Sequence, residues 1–152
     1  AWTIGSLGTA GWNDRWTQIA CVSGLAITAA SILGIAVTLA DTSIWVLTAL
    51  VALAGIGVGM TNVHSIAWAL AAAGEQESRI TASAAPAMRS IGIAYGAAIA
   101  GMIANAAGLA GGTDPQTVEY ALSWVFALGA LVPLAGSLCV IRMFRLKPGV
   151  KI

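Results

Sequence analysis

A chain of 152 residues that is 59% hydrophobic and 9% charged, with a mean hydropathy of +0.88, has too few ionisable groups to coat a soluble particle; an ordinary soluble domain carries about 25%. The net charge of +1 leaves no basic footprint for nucleic acid. Cys21 and Cys139 lie in apolar segments without metal-ligand spacing, and no cofactor is expected.

The charges sit in short breaks between long uncharged stretches, 16–40, 42–74, 90–113 and 120–141, each at least 22 residues long. About 20 helical residues cross a hydrocarbon core roughly 30 Å thick, and a backbone in lipid must satisfy its own hydrogen bonds. Helices are therefore expected. Residues 1–11 are small, apolar and too short to span; with no Met at Ala1 and no signal peptide, they read as the end of a truncated helix in a piece of a longer protein. The polar loop Trp12-Asn13-Asp14-Arg15-Trp16 follows. The first predicted span covers 17–39 and the second 44–73, joined by the turn Ala40-Asp41-Thr42-Ser43. Gly74-Glu75-Gln76-Glu77-Ser78-Arg79 reads as a polar loop, and the third span covers 80–107 with Pro86 near its start. A Gly/Asp/Pro loop precedes a fourth span over 120–144, and residues 145–152 form a basic tail. The expected fold is an all-α membrane protein, four transmembrane helices plus the end of a fifth.

Four crossings place Arg15, Arg79, Arg142, Arg145, Lys147 and Lys151 on one side, with Arg89 close to that face. Asp41, Asp114 and Glu119 then fall on the other side with no basic residue. The positive-inside rule makes the basic side cytoplasmic, so the tail is expected inside a cell membrane. Trp16, Trp45 and Trp124 fall at predicted helix ends, where indole rings anchor at the headgroup boundary.

Gly55-Ile56-Gly57-Val58-Gly59 in the second span is not a dinucleotide fingerprint, because no strand precedes it and no acidic residue follows at the needed distance. Glycines in such a helix permit close contact with a neighbour or a local bend. Gly57, Thr61, His64 and Trp68 share one helical stripe with Ser65 beside it, and Asn62 belongs to the same polar cluster. An intramembrane polar stripe faces protein or a water-filled cavity. Two roles fit His64: a proton-responsive group in a substrate-lining face, or a neutral imidazole bonded between helices. In the third span, Gly92, Gly96 and Gly101 leave room for a close helix partner. Asn105 reads as a polar group deep in that helix, either interhelical glue or part of a cavity. Arg89, about ten residues into the predicted span, reads as a structural contact near the inner boundary, with a gate-region role as the alternative. No Ser/His/Asp, Cys/His or paired-carboxylate arrangement lies within the spans, so no enzyme is expected.

Three segments resemble the C-terminal half of the major facilitator superfamily, most closely its fourteen-span drug:proton antiporter branch. Gly5-Ser6-Leu7-Gly8-Thr9-Ala10-Gly11-Trp12-Asn13-Asp14-Arg15-Trp16 is similar to the weaker C-domain copy of the family's G-x-x-x-D-R loop, with Gly11 four residues ahead of Arg15 and Asp14 and Arg15 matching its charged pair. Gly55-Ile56-Gly57-Val58-Gly59-Met60 resembles the glycine-rich middle of the antepenultimate helix. Arg79-Ile80-Thr81-Ala82-Ser83-Ala84, followed by Arg89, Gly92 and Gly96, resembles the start of the penultimate helix. The departures are Ile80 where a small residue is usual, Pro86 inside the helix, and a loop lacking the full basic run after Arg15.

The resemblance spans nearly the whole chain and implies part of a six-helix half of a secondary transporter working by alternating access. It further implies that the second and third spans line a cavity, with the first and fourth peripheral. Asp14, Arg15, Arg79, Arg89, Gly92 and Gly96 would belong to gate or structural motifs. The substrate would be a small amphipathic or cationic organic molecule exported against protons, and the N-terminal transporter domain would be a partner. The rival readings are a non-transporting four-helix membrane scaffold or assembly subunit and, with less to stand on, a small membrane-embedded enzyme.

Overall fold

The computed structural model describes residues 1–39, 43–73, 75–112 and 114–146, and all regular structure among them is helical. Asp41, Lys147 and Lys151, which enter the sidedness argument, lie outside the described residues. A short α1 (Trp2–Gly8) leads into α2 (Asp14–Thr38), α3 (Ile44–Ala72), α4 (Glu75–Ala106), α5 (Pro115–Gly129) and α6 (Leu131–Leu146). Four stretches are long and apolar enough to cross a membrane: 15–38, 44–71, 77–106, and 115–142, the last of which takes in both α5 and α6.

Local chemistry explains where these helices begin and end. Gly11 takes a left-handed φ of 79°, which turns the chain out of α1. Asn13 then caps α2 by accepting from the Trp16 backbone N–H at 3.2 Å. Ser43 caps α3, accepting from the Trp45 N–H at 3.4 Å. Gly108, at φ 103°, stops the chain after α4, and its N–H donates to the Asn105 carbonyl. Asp114 caps α5 by accepting from the Thr117 N–H at 3.1 Å, with Pro115 entering the first turn. The Thr117 hydroxyl and N–H also hold the Asp114 carboxyl below the ordinary carboxylate range.

Three sequence expectations need correction. The polar segment after Gly74 is not a loop: α4 begins at Glu75, five residues before the predicted start. Glu, Gln and Arg are good helix formers, and acidic residues in the first turn complement the helix dipole. The helix simply continues beyond the part that lipid requires to be apolar. The fourth span starts at Pro115 rather than 120 and is divided at Ala130. Pro133 causes the division, because its ring displaces the Gly129 carbonyl and it offers that carbonyl no N–H. Trp124 consequently sits inside α5, in edge-to-face contact with Tyr120 at 6.3 Å, and not at a helix end.

The packing is uneven. α2 occupies the centre, against α3 on one side and α5 and α6 on the other. In its spanning window 44% is buried, against 6% for α4. The fully buried residues are small, among them Ala20, Cys21, Ala121 and Ala130, so the backbones approach closely. Outward-facing side chains include Val37, Ile44, Val51, Val58, Ile93 and Val132, all exposed and apolar. That surface suits hydrocarbon. The four long stretches alternate in direction, α5 and α6 continuing one another, so Arg15, Arg79, Arg142 and Arg145 lie at one end of the bundle, and Asp114 and Glu119 at the other.

Candidate functional site

The polar stripe of α3 faces protein. Gly24 and Gly57 pack backbone to backbone: a Cβ on Gly24 would lie 2.6 Å from the Gly57 carbonyl oxygen, and one on Gly57 would strike the Gly24 carbonyl and the Thr28 hydroxyl. One turn along, the Thr61 hydroxyl shares its proton between the Gly57 carbonyl at 3.1 Å and the Cys21 carbonyl of α2 at 3.2 Å. Interhelical bonds of this kind contribute about 0.6 kcal/mol each. The stripe is the seam between α2 and α3.

α1 closes the other side of α3, and the two helices run in the same direction. Gly59 packs on the Trp2 backbone and ring. The Ser6 hydroxyl donates to the Gly59 carbonyl at 3.2 Å. His64, 5% exposed, lies against the Thr9 backbone, and its Nε2 is buried without a hydrogen-bond partner among the described residues. Ser65 faces the buried Cys21 thiol of α2 and also borders a cavity of about 260 Å³ between α3 and α4, with Ile66, Ala69, Thr81 and Ala85. Asn62 and Trp68 are half-buried.

An orphaned buried nitrogen costs about 1–3 kcal/mol. His64→Leu, which keeps bulk and removes the orphan, is therefore expected to melt no lower than the wild type in detergent. His64→Ala, which leaves a cavity, is expected to lose about 2 kcal/mol or more. Equal losses in both variants would mean that Nε2 is satisfied by a polar partner.

α4 presents the least packed surface. Gly92, Gly96 and Gly101 have nothing near the position a Cβ would occupy, so the close helix partner that their spacing anticipates does not come from the described residues. Arg89 is the exception to this isolation. Its guanidinium lies 5.3 Å from the centroid of the Trp2 ring, a cation–π contact between α4 and α1.

That contact fixes the depth of the charge. Trp2 rests on Gly59, near the centre of the 29-residue α3. Arg89 is itself near the midpoint of the 32-residue α4. The guanidinium is therefore at mid-depth of the bundle and not at the inner boundary that the predicted start of the helix implied. The physical reason is the early start of α4 at Glu75 together with the register of α1 on α3. An arginine at the centre of a spanning helix costs about 2.5–3.5 kcal/mol to insert.

The remaining candidates are dispersed. Asp14 is the first residue of α2, and Arg15 and Arg79 are exposed at the same end of the bundle. Asn105 lies in the last turn of α4 with its side chain exposed, and not deep in the helix as the sequence suggested. Thus Thr61, His64 and Ser65 meet at the α1–α2–α3 seam, while Arg89, Gly92 and Gly96 share the open face of α4. Sequence reasoning missed Trp2, Ser6 and Thr28. Thr28 carried a usable signal, since it follows Gly24 by one helical turn on the face that meets Gly57. Trp2 carried none, because its partner is remote in sequence.

No family model matches the chain, and neither does any curated protein or solved structure.

Proposed function

We propose that the chain is part of the C-terminal half of a major-facilitator-type secondary transporter, in which α3 and α4 face the partner domain across a central cavity. The observation that carries this reading is the pairing of a rigid seam with an unsatisfied face. α1, α2 and α3 are locked backbone to backbone, while α4 holds an arginine at mid-depth beside open glycines. A charge at that depth is tolerated where it meets protein or water. Alternating access requires such a wall: a firmly packed body that moves as a unit, carrying a polar inner surface. The basic end of the bundle is then cytoplasmic, the membrane is the cell membrane, and the cargo is a small organic or drug-like molecule exported against protons.

The rival is a non-transporting four-helix scaffold that uses the same α4 face for assembly, and the open glycines favour it equally. Flux separates the two. Inverted vesicles containing the protein, energised by an imposed pH gradient, are expected to accumulate at least one member of a panel of cationic, neutral and anionic amphipathic dyes. A protonophore should abolish that accumulation. Absence of gradient-dependent movement for the whole panel would leave the scaffold.

A further inference from the structure

We infer that Arg89, backed by the Trp2 ring, is the charged centre of a binding site for an organic anion of the aryl or alkyl carboxylate class. The argument begins with a missing counter-charge. Of the six acidic residues of the chain, Asp14, Glu75, Glu77, Asp114 and Glu119 lie at or near helix ends, and Asp41 lies outside the described residues. The nearest on the same helix is Glu77, roughly 18 Å away at 1.5 Å per residue. Among the described residues, Arg89 meets only an aromatic face.

The surroundings leave room for a ligand. The indole ring covers one side of the guanidinium and leaves its N–H donors free. A planar fork of donors matches a carboxylate bidentately, a geometry that a lysine cannot reproduce. Gly92 and Gly96 follow Arg89 on the same helical stripe, and neither has an atom within 4 Å of where a Cβ would be. The exposed Arg89 therefore stands beside an open stretch of α4 backbone, with space for an apolar body attached to the carboxylate. Ile93, 64% exposed, supplies an apolar wall on the same side. Such a ligand satisfies the charge and the apolar surface together, and a simple inorganic anion satisfies only the first.

As a substrate-class assignment, this inference rests on the transporter reading and replaces the cationic cargo that family resemblance implied. Its test is binding, which needs no transport, so the two can fail separately. The purified, detergent-solubilised protein is titrated with 2-naphthoate and with its neutral isostere 2-naphthamide by equilibrium dialysis. A charge-assisted bidentate contact predicts a preference for naphthoate of about tenfold or more. Arg89→Gln should bring the two probes within about twofold, and Arg89→Lys should retain part of the preference. Removing a midplane charge eases insertion, so the Gln variant is expected to fold. A preference that persists in Arg89→Gln overturns the site. No preference in the wild type, with a lower melting temperature in Arg89→Gln, also overturns it and assigns the counter-charge to a carboxylate of the protein. No preference with an unchanged melting temperature overturns it as well.

Discussion

Gly57→Leu is expected to cost the fold about 3 kcal/mol or more, the upper end of what overpacking a close contact does. The reason is what the new atoms would meet. At Gly57 a Cβ collides with the Gly24 carbonyl and comes within 2.5 Å of the Thr28 hydroxyl, groups held on the backbone of α2 or one bond from its Cβ. Neither moves without moving the helix. Separating α2 from α3 also breaks the Thr61 bond to the Cys21 carbonyl and opens the seam that buries His64. Thermal unfolding in detergent, followed by loss of monodispersity on size exclusion, reads this out. Gly92→Leu is the control, because nothing lies near its Cβ position. That variant should unfold within about 0.5 kcal/mol of the wild type. Equal destabilisation at both glycines would refute the α2–α3 seam.

The contrast between these glycines shows how far the sequence could be read. Spacing identified Gly57 and Gly92 alike as places of close approach, because a missing side chain is a local property. Which of them has a partner depends on tertiary register, and only the structure brings Gly24 to Gly57 while leaving Gly92 open. The four stretches long and apolar enough to cross a membrane were legible for a similar reason, since charge-free length is a local property of the sequence. Helix ends were less so. The rule that lipid excludes charge marks the crossing part of a helix, not its full extent, and α4 runs on through Glu77 and Arg79. The Asp114-Pro115 pair is a helix start by its own chemistry, but it lay inside what read as a loop. For the candidate site, the periodicity correctly put Gly57, Thr61 and His64 on one side of a helix. It carried no information about whether that side meets water, lipid or a neighbouring backbone. The depth of Arg89 was the least legible feature, since it follows from three helices sharing a level.

Val58→Arg is expected to raise the apparent insertion free energy of segment 44–72, and so oppose its insertion, by about 2.5–3.5 kcal/mol. Val58 lies between Gly57 and Gly59, near the centre of α3, with its side chain 46% exposed. It is thus at nearly the depth of the Arg89 guanidinium, but on a surface that hydrocarbon is expected to cover. If water surrounded this bundle, an exposed valine replaced by arginine would change stability by no more than about 0.5 kcal/mol. The two solvents therefore give different answers from one substitution. A microsomal insertion assay, scored by glycosylation sites flanking the segment, measures the difference. The counterpart is Arg89→Leu, tested in the isolated segment 77–106, which has the lowest mean hydropathy of the four at 1.4. Losing the charge there should raise insertion by a comparable amount, because an isolated α4 has no Trp2 ring or partner surface to receive a guanidinium. A neutral outcome at Val58 would mean that this face of α3 never meets lipid, and the four-span arrangement would fall with it. A penalty at Val58, in a protein that carries Arg89 at the same level, would divide the outer surface into a side that belongs to lipid and a side that does not.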